Sequence, residues 1–208
     1  MVFITFEGGE GVGKSTQIKN VLRYLEEREY KCLVTREPGG TEIGGQIRKI
    51  LKSVNSEKLV SKAELMLFLA DRVQHIEWVI GPALERGDVV LCDRYFDSTF
   101  AYQGTARNLK VDLRELHQMF EVPIPDLTFL LDLPPSLGLS RAWSQINSGG
   151  RDRTQVRFEE EQLSFHEDLR RGYLHLATKE PNRFCVIDAK FTEENVWQQI
   201  KKVLDTIF

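Results

Sequence analysis

The segment Gly8-Gly9-Glu10-Gly11-Val12-Gly13-Lys14-Ser15 has the spacing G-x-x-x-x-G-K-[ST]. It follows the apolar run Val2–Glu7, which reads as a strand, and opens residues 14–29, where Ile18, Val21, Leu22 and Leu25 recur at helical spacing. Glycines let the backbone curl until successive N–H groups point inward at an anion. The helix that follows offers its N-terminus to the same charge. In that context Lys14 is placed to reach the β- and γ-phosphates of a nucleoside triphosphate, and the Ser15 hydroxyl to meet Mg2+. Gly8 through Ser15, with Thr16 behind them, make the expected phosphate cradle.

Outward from the cradle, short apolar runs alternate with longer amphipathic ones. Residues 32–35, 89–92, 127–131 and 184–187 read as further strands. Helices are expected over 43–51, 61–84, 112–120, from 135 to 144, over 158–178 and over 193–207. Near-continuous apolar strands separated by helices predict an α/β fold, a P-loop NTPase three-layer α/β/α arrangement on a five-stranded parallel sheet. Ligands bind such sheets at the carboxyl ends of the strands. There this sequence carries Glu7, Arg36-Glu37, Asp93-Arg94 and Asp132.

At 208 residues the chain fits one domain, 1–208, that buries roughly 70% of its unfolded surface. With 41% hydrophobic and 28% charged residues it is an ordinary globular composition. No run is long enough for a membrane span, and the first residues lack the pattern of a signal peptide. Lys and Arg number 28 against 31 Asp and Glu, a net charge of −3. That argues against a nucleic-acid polymer as partner and for small polyanions held in local basic pockets. The three cysteines, Cys32, Cys92 and Cys185, lie apart in apolar runs, which predicts reduced buried thiols and a cytoplasmic protein.

A triphosphate site alone serves switches, motors and kinases. The guanine-reading Asn-Lys-x-Asp element of a GTPase is missing, and the length leaves little room for motor modules. A compact kinase is favoured. Three further segments bear on its acceptor: Thr35-Arg36-Glu37-Pro38-Gly39-Gly40, the helical Phe68-Leu69-Ala70-Asp71-Arg72, and Asp93-Arg94-Tyr95 running on to Ser98-Thr99-Phe100-Ala101-Tyr102-Gln103-Gly104. Together with the phosphate loop these resemble the thymidylate kinase family along almost the whole chain, in the family's order. The resemblance implies a nucleoside monophosphate kinase-like fold with a lid, ATP and dTMP as substrates, Mg2+, and a homodimer.

Physical chemistry agrees with that implication where it can be applied. An acceptor monophosphate brings about two charges of its own, and arginine forks bind phosphate oxygens bidentately. Arg36 and Arg94 stand just past strand ends, and the resemblance assigns both to the acceptor phosphate. It assigns Glu10 to the 3′-hydroxyl, Phe68 to stacking on the base and Arg72 to a base carbonyl. Ser98, Thr99, Tyr102 and Gln103 would complete the nucleoside pocket. Asp93 ends an apolar strand, as a Mg2+-binding acid should, with an ion pair to Arg94 or Lys14 as the competing reading. The resemblance also predicts a cis Glu37-Pro38 bond. For the homodimer, residues 63–78, with Leu65, Leu67, Leu69 and Ile76, offer an apolar surface.

The lid is expected over about 141–157, and 145–155 reads as a loop. Arg141, Arg151, Arg153 and Arg157 against Asp152 give it a net +3, so the rest of the chain sums to −6. The phosphate loop has no arginine at its variable positions, and the chain is similar to the members of the family that carry the catalytic arginine in the lid; the resemblance implies that role for Arg153 or else Arg151, with Arg141 beside the donor nucleotide. Two other functions share many of these features. A deoxynucleoside kinase would not need Arg36 and Arg94, and a non-catalytic ATP-binding protein would not need the lid arginines.

Overall fold

The structure is a computed structural model that describes residues 2–54, 57–150 and 156–208. Five parallel strands, β1 (Val2–Glu7), β2 (Cys32–Arg36), β3 (Val89–Asp93), β4 (Leu127–Asp132) and β5 (Phe184–Asp188), form one sheet in the order β2-β3-β1-β4-β5. The central strands β1, β3 and β4 are buried almost throughout, which is why their sequences read as unbroken apolar runs. The edge strands are more open, and Val34 and Val186 face outward.

Helices cover both faces. On one, α1 (Lys14–Glu26) and α9 (Glu193–Leu204) bury Ile18, Val21, Leu25, Val196, Ile200 and Leu204 against Ile4, Phe6 and Phe129. On the other lie α3 (Ser61–His75), α4 (Gly81–Glu85) and α8 (Leu163–Lys179). The helix expected over 61–84 is continuous but widens to a π-helical turn at Ile76–Ile80 between α3 and α4. The remaining helices are α2 (Glu42–Lys52), α5 (Phe96–Thr99), α6 (Leu113–Met119) and α7 (Pro135–Asn147). Thr41, Asp112 and Thr192 cap α2, α6 and α9 by accepting backbone N–H bonds, which satisfies donors that open a helix.

Two expectations are corrected and one helical segment is added. Residues 145–147 belong to α7 rather than to a loop, because Ile146 is buried and holds the last turn down. The long helix near the C-terminus starts at Leu163, not at residue 158: Phe158 packs inward and residues 157–160 form a turn. Residues 96–106, given no element beforehand, are helical, with α5 passing into a π-helical Phe100–Ala106. No apolar stripe of regular period announces such a wide turn, and π turns recur at functional sites. All three cysteines are free: Cys92 is buried, and Cys32 and Cys185 are half-buried.

Candidate active site

Beyond the carboxyl ends of β1 and β3 lies a cavity of about 960 Å³. It is bounded by the phosphate loop, the segment after β2, one face of α3, the α5–π segment, α7 and the loop after β5. The phosphate loop makes its curl at Gly8, Gly11 and Gly13, all with positive φ. A Cβ on Gly11 would stand 2.0 Å from the carbonyl oxygen of Gly138 in α7, so the loop lies directly on that helix. Lys14 is buried and its Nζ donates to the carbonyls of Gly8 and Gly9 at 3.3 and 3.1 Å. Burial, then repulsion from Arg94, push its amine down to about 8 against the pull of Asp93 and Glu10. An incoming polyphosphate is the charge that would restore it.

Arg94 is the pivot of the wall beside the phosphate loop. It sits just past β3 at φ 69, a conformation uncommon for a residue with a Cβ. That turn sends its guanidinium over the phosphate loop. Nη1 donates to the Gly8 carbonyl at 2.8 Å and to the Tyr173 hydroxyl at 3.0 Å, and Nη2 pairs with Glu10 at 2.8 Å. The Tyr102 hydroxyl donates to the same Glu10 oxygen at 2.8 Å. Burial opposes the charge on Glu10, but Arg94, Lys14 and Lys52 outweigh it and hold the carboxyl well below the usual range. The Glu10 carboxylate therefore already has two partners, so a 3′-hydroxyl would share it with them.

Beneath Arg94 lies a group given no role by the sequence reading. The Glu7 carboxylate, wholly buried at the end of β1, accepts from the Tyr95 N–H at 2.7 Å, the Ser98 hydroxyl at 2.7 Å and the Tyr173 hydroxyl at 3.0 Å. Burial and the nearby Asp97 push it up to about 7. Its position after an apolar strand was the available signal.

On α3, Phe68 lines the cavity with its ring 6.4 Å from Phe158. One turn later Arg72 is 1% exposed, donating to Glu37 and to Thr99 at 2.8 Å and to the Tyr95 carbonyl at 3.1 Å. Glu37 also meets His75 Nδ1 at 3.0 Å, and His75 Nε2 lies 2.6 Å from the Thr35 hydroxyl. Because a carboxylate only accepts, Nδ1 carries the proton. The Glu37-Pro38 bond is cis, as expected. Arg36 is exposed at the cavity's rim. Ser98, Thr99, Tyr102 and Gln103 all line the cavity. So do Arg48 and Lys52, which the sequence reading passed over; their i, i+4 spacing on α2 was the signal.

The opposite wall differs in character. Arg141 donates to the Ala189 carbonyl at 3.2 Å, and Phe191, Thr192 and Val196 continue a largely apolar surface there. Ser15 donates to Asp93 at 3.2 Å, so the two oxygens expected at Mg2+ are neighbours. Arg151 and Arg153 lie outside the described residues. Arg157 pairs with Glu64 at 2.7 Å and donates to the Leu51 carbonyl, which makes it an anchor and not a lid arginine over the phosphates. Leu65, Leu69 and Ile76, expected on a dimer surface, are buried in the chain's own core. The exposed large apolar residues of that region are Met66 and Trp78, with Ile43 and Ile50 on α2.

A strand order of β2-β3-β1-β4-β5, a phosphate loop after β1, and a cavity that also gathers Arg36, Arg48, Arg72 and Arg94 define a P-loop kinase of the nucleoside monophosphate kinase type. The family described as Thymidylate kinase matches residues 6–200, and the chain belongs to it. The thymidylate kinase of Desulfovibrio desulfuricans is 49% identical over 206 residues, covering 98% of this chain and 95% of that one. That of Geobacter sulfurreducens is 52% identical over 188 residues, covering 89% and 88%. The crystal structure of thymidylate kinase from Ehrlichia chaffeensis superposes with a TM-score of 0.77 at 31% identity, covering 98% of each chain.

Proposed function

We propose that the chain transfers the γ-phosphoryl group of ATP to the 5′-phosphate of dTMP, giving dTDP and ADP. The observation that carries this reading is one cavity with more cations than a triphosphate needs: Lys14 in the phosphate cradle, Arg94 beside it on the loop's own carbonyls, and Arg36 and Arg48 from the segment after β2 and from α2. A neutral nucleoside would not need the additional cations. In the transfer, an oxygen of the dTMP phosphate bonds to the γ-phosphorus of ATP as the bond to the β,γ-bridging oxygen breaks. Such a reaction needs charge neutralisation and in-line placement more than covalent help.

Residue roles follow from place and charge. The cradle from Gly8 to Thr16, with Lys14, holds the triphosphate. Arg141 and the Ala189 loop flank the donor nucleoside. Arg36, Arg48 and Arg94 hold the acceptor phosphate, with Arg94 braced by Glu10 and Tyr102. Phe68 faces the base, and Arg72 has guanidinium hydrogen left for a base carbonyl. Ser98, Thr99, Tyr102 and Gln103 complete that pocket. Arg153, or Arg151 in its place, supplies the catalytic charge on the transferring group.

Mg2+ needs only oxygens, commonly one or two from protein with the rest from phosphate and water. The adjoining Ser15 hydroxyl and Asp93 carboxylate suit that requirement, and among the described residues no cluster of three or more acidic, His or Cys ligands competes for a metal. Bound there, the ion would neutralise phosphate charge during transfer.

We read residues 1–208 as one catalytic domain. Exposed Met66 and Trp78 on the α3 side, beside Ile43 and Ile50, support a homodimer through α2 and α3. Sedimentation tests it, and a monomer at micromolar concentration would refute it. Free cysteines support a reducing, cytoplasmic setting. Among the described residues no helix is long and apolar enough to cross a membrane. The functional test is a coupled ADP-release assay offering thymidine, dTMP, dUMP, dCMP and AMP. Turnover on dTMP is expected. Turnover on thymidine alone would replace the reading with a deoxynucleoside kinase.

A further inference from the structure

The face of α3 that carries Phe68 and Arg72 begins one turn earlier, at Glu64, which shares the face by i, i+4 spacing. Glu64 has no solvent exposure and does not line the cavity. Its carboxylate nonetheless collects donors from two separate segments. Gln103 Nε2 donates to Oε1 at 2.8 Å, and Arg157 Nη1 to Oε2 at 2.7 Å. Arg107 reaches both oxygens at 3.4 and 3.3 Å and also pairs with Glu161 at 2.6 Å.

The chemistry of the Gln103 contact has a consequence for the cavity. An ionised carboxylate can only accept, so it fixes which end of the Gln103 amide faces it: the NH2 group. Arg107 and Arg157 both form ion pairs with Glu64, at 3.3 and 2.7 Å. The carbonyl oxygen is then the end of the amide that Gln103, a cavity-lining residue, offers to a ligand. A carbonyl at that wall accepts from a base with an N–H, as thymine and uracil carry at N3. It meets only a lone pair on cytosine N3.

We infer that Glu64 is a positioning residue for base selection: by holding the Gln103 amide in one orientation, it makes the pocket discriminate against pyrimidines that lack a ring N–H at N3. The same carboxylate steadies the rest of that wall through Arg157, whose guanidinium lies 4.4 Å from the Phe158 ring. Phe158 in turn lies 5.3 Å from Tyr102 and 6.4 Å from Phe68. Arg72 contributes to base choice separately, since its donors favour a carbonyl where cytosine has an amine. Loss of Glu64 therefore removes only one share of the discrimination.

This inference rests on the dTMP kinase reading, and wild-type turnover on dTMP is checked first; its absence would end that reading before any variant is made. Two variants then test Glu64. Glu64→Gln removes the charge and lets the Gln103 amide turn. Glu64→Asp keeps the charge that balances Arg107 and Arg157 but withdraws it from Gln103 by one methylene, which guards against a variant that fails to fold. The measurement is kcat/KM for dTMP and for dCMP, with KM for ATP as internal control. The ratio of dTMP to dCMP should fall at least tenfold, chiefly through KM for dTMP, with KM for ATP within twofold of wild type. A merely structural role would depress both substrates together. An unchanged ratio in a folded, active variant would overturn the inference.

Discussion

Replacing Gly138 with alanine sets two effects of opposite sign against each other. Gly138 lies in the first half of α7, where alanine in place of glycine favours the helix by about 0.8–1.0 kcal/mol. But the new Cβ would fall 2.4 Å from the Glu10 carbonyl oxygen of the phosphate loop. That oxygen would have to retreat by about 0.6 Å or more, and overpacking of this kind costs roughly 1–3 kcal/mol. The loop has little room to give, since Gly11 is itself pressed on the Gly138 carbonyl. The net expectation is a loss of about 0–2 kcal/mol, read as a melting temperature a few degrees lower. The larger effect is on catalysis. Moving the cradle by even part of an ångström misplaces the triphosphate, and a 1 Å misplacement can cost on the order of 100-fold. Steady-state kinetics with ATP varied at saturating dTMP should show kcat/KM for ATP down by roughly 10- to 100-fold. Gly45→Ala in α2 is the control, because nothing lies within 4 Å of its Cβ position. It should gain up to about 1 kcal/mol and leave kinetics alone. If Gly138→Ala behaves like Gly45→Ala, the contact between α7 and the phosphate loop does not govern the cradle.

Two further outcomes are expected. Burial holds the Glu7 carboxyl at about 7 against an ordinary 4.5, so between those values the folded chain keeps a proton that the unfolded chain has released. Its contribution to stability is complete below about pH 4.5, falls as pH rises, and is gone above about 7. Glu7→Gln carries no such proton, so thermal melts from pH 4.5 to 8.5 should show the variant gaining on the native chain as pH rises; parallel curves would refute this. Arg153→Ala should lower kcat by roughly 1,000-fold with little change in affinity for dTMP, on the scale of arginine fingers in GTPases. An unchanged kcat would move the role to Arg151.

Much of the site was legible because its motifs are local. The cradle from Gly8 to Ser15 needs only a strand, glycines and a helix start in succession. Arg36 and Arg94 could be placed on the ligand side because charge directly after an apolar parallel strand has one place to go. Reading failed where partners are distant in sequence. Arg157 looked like one more lid cation, yet its guanidinium meets Glu64, 93 positions away. Leu65 and Leu69 looked available for a partner chain, yet the buried side of α3 claims them, and Met66 is the residue left outside. The helix at residues 96–106 escaped notice because its π-helical turns have no 3.6-residue signature.

What the sequence determined by itself was the kind of chemistry: a triphosphate cradle, cations at strand ends and an α/β framework, each encoded within a few consecutive residues. Tertiary structure decided which charges are free to meet a ligand. Only the parallel pairing of β1 with β3, together with the packing of α8 on the sheet, brings Glu7, Arg94 and Tyr173 into one hydrogen-bonded group, and only the packing of α3 turns Glu64 toward Gln103. Those pairings depend on strand order and helix rotation. Both are settled by the burial of the whole core, which no short stretch of sequence contains.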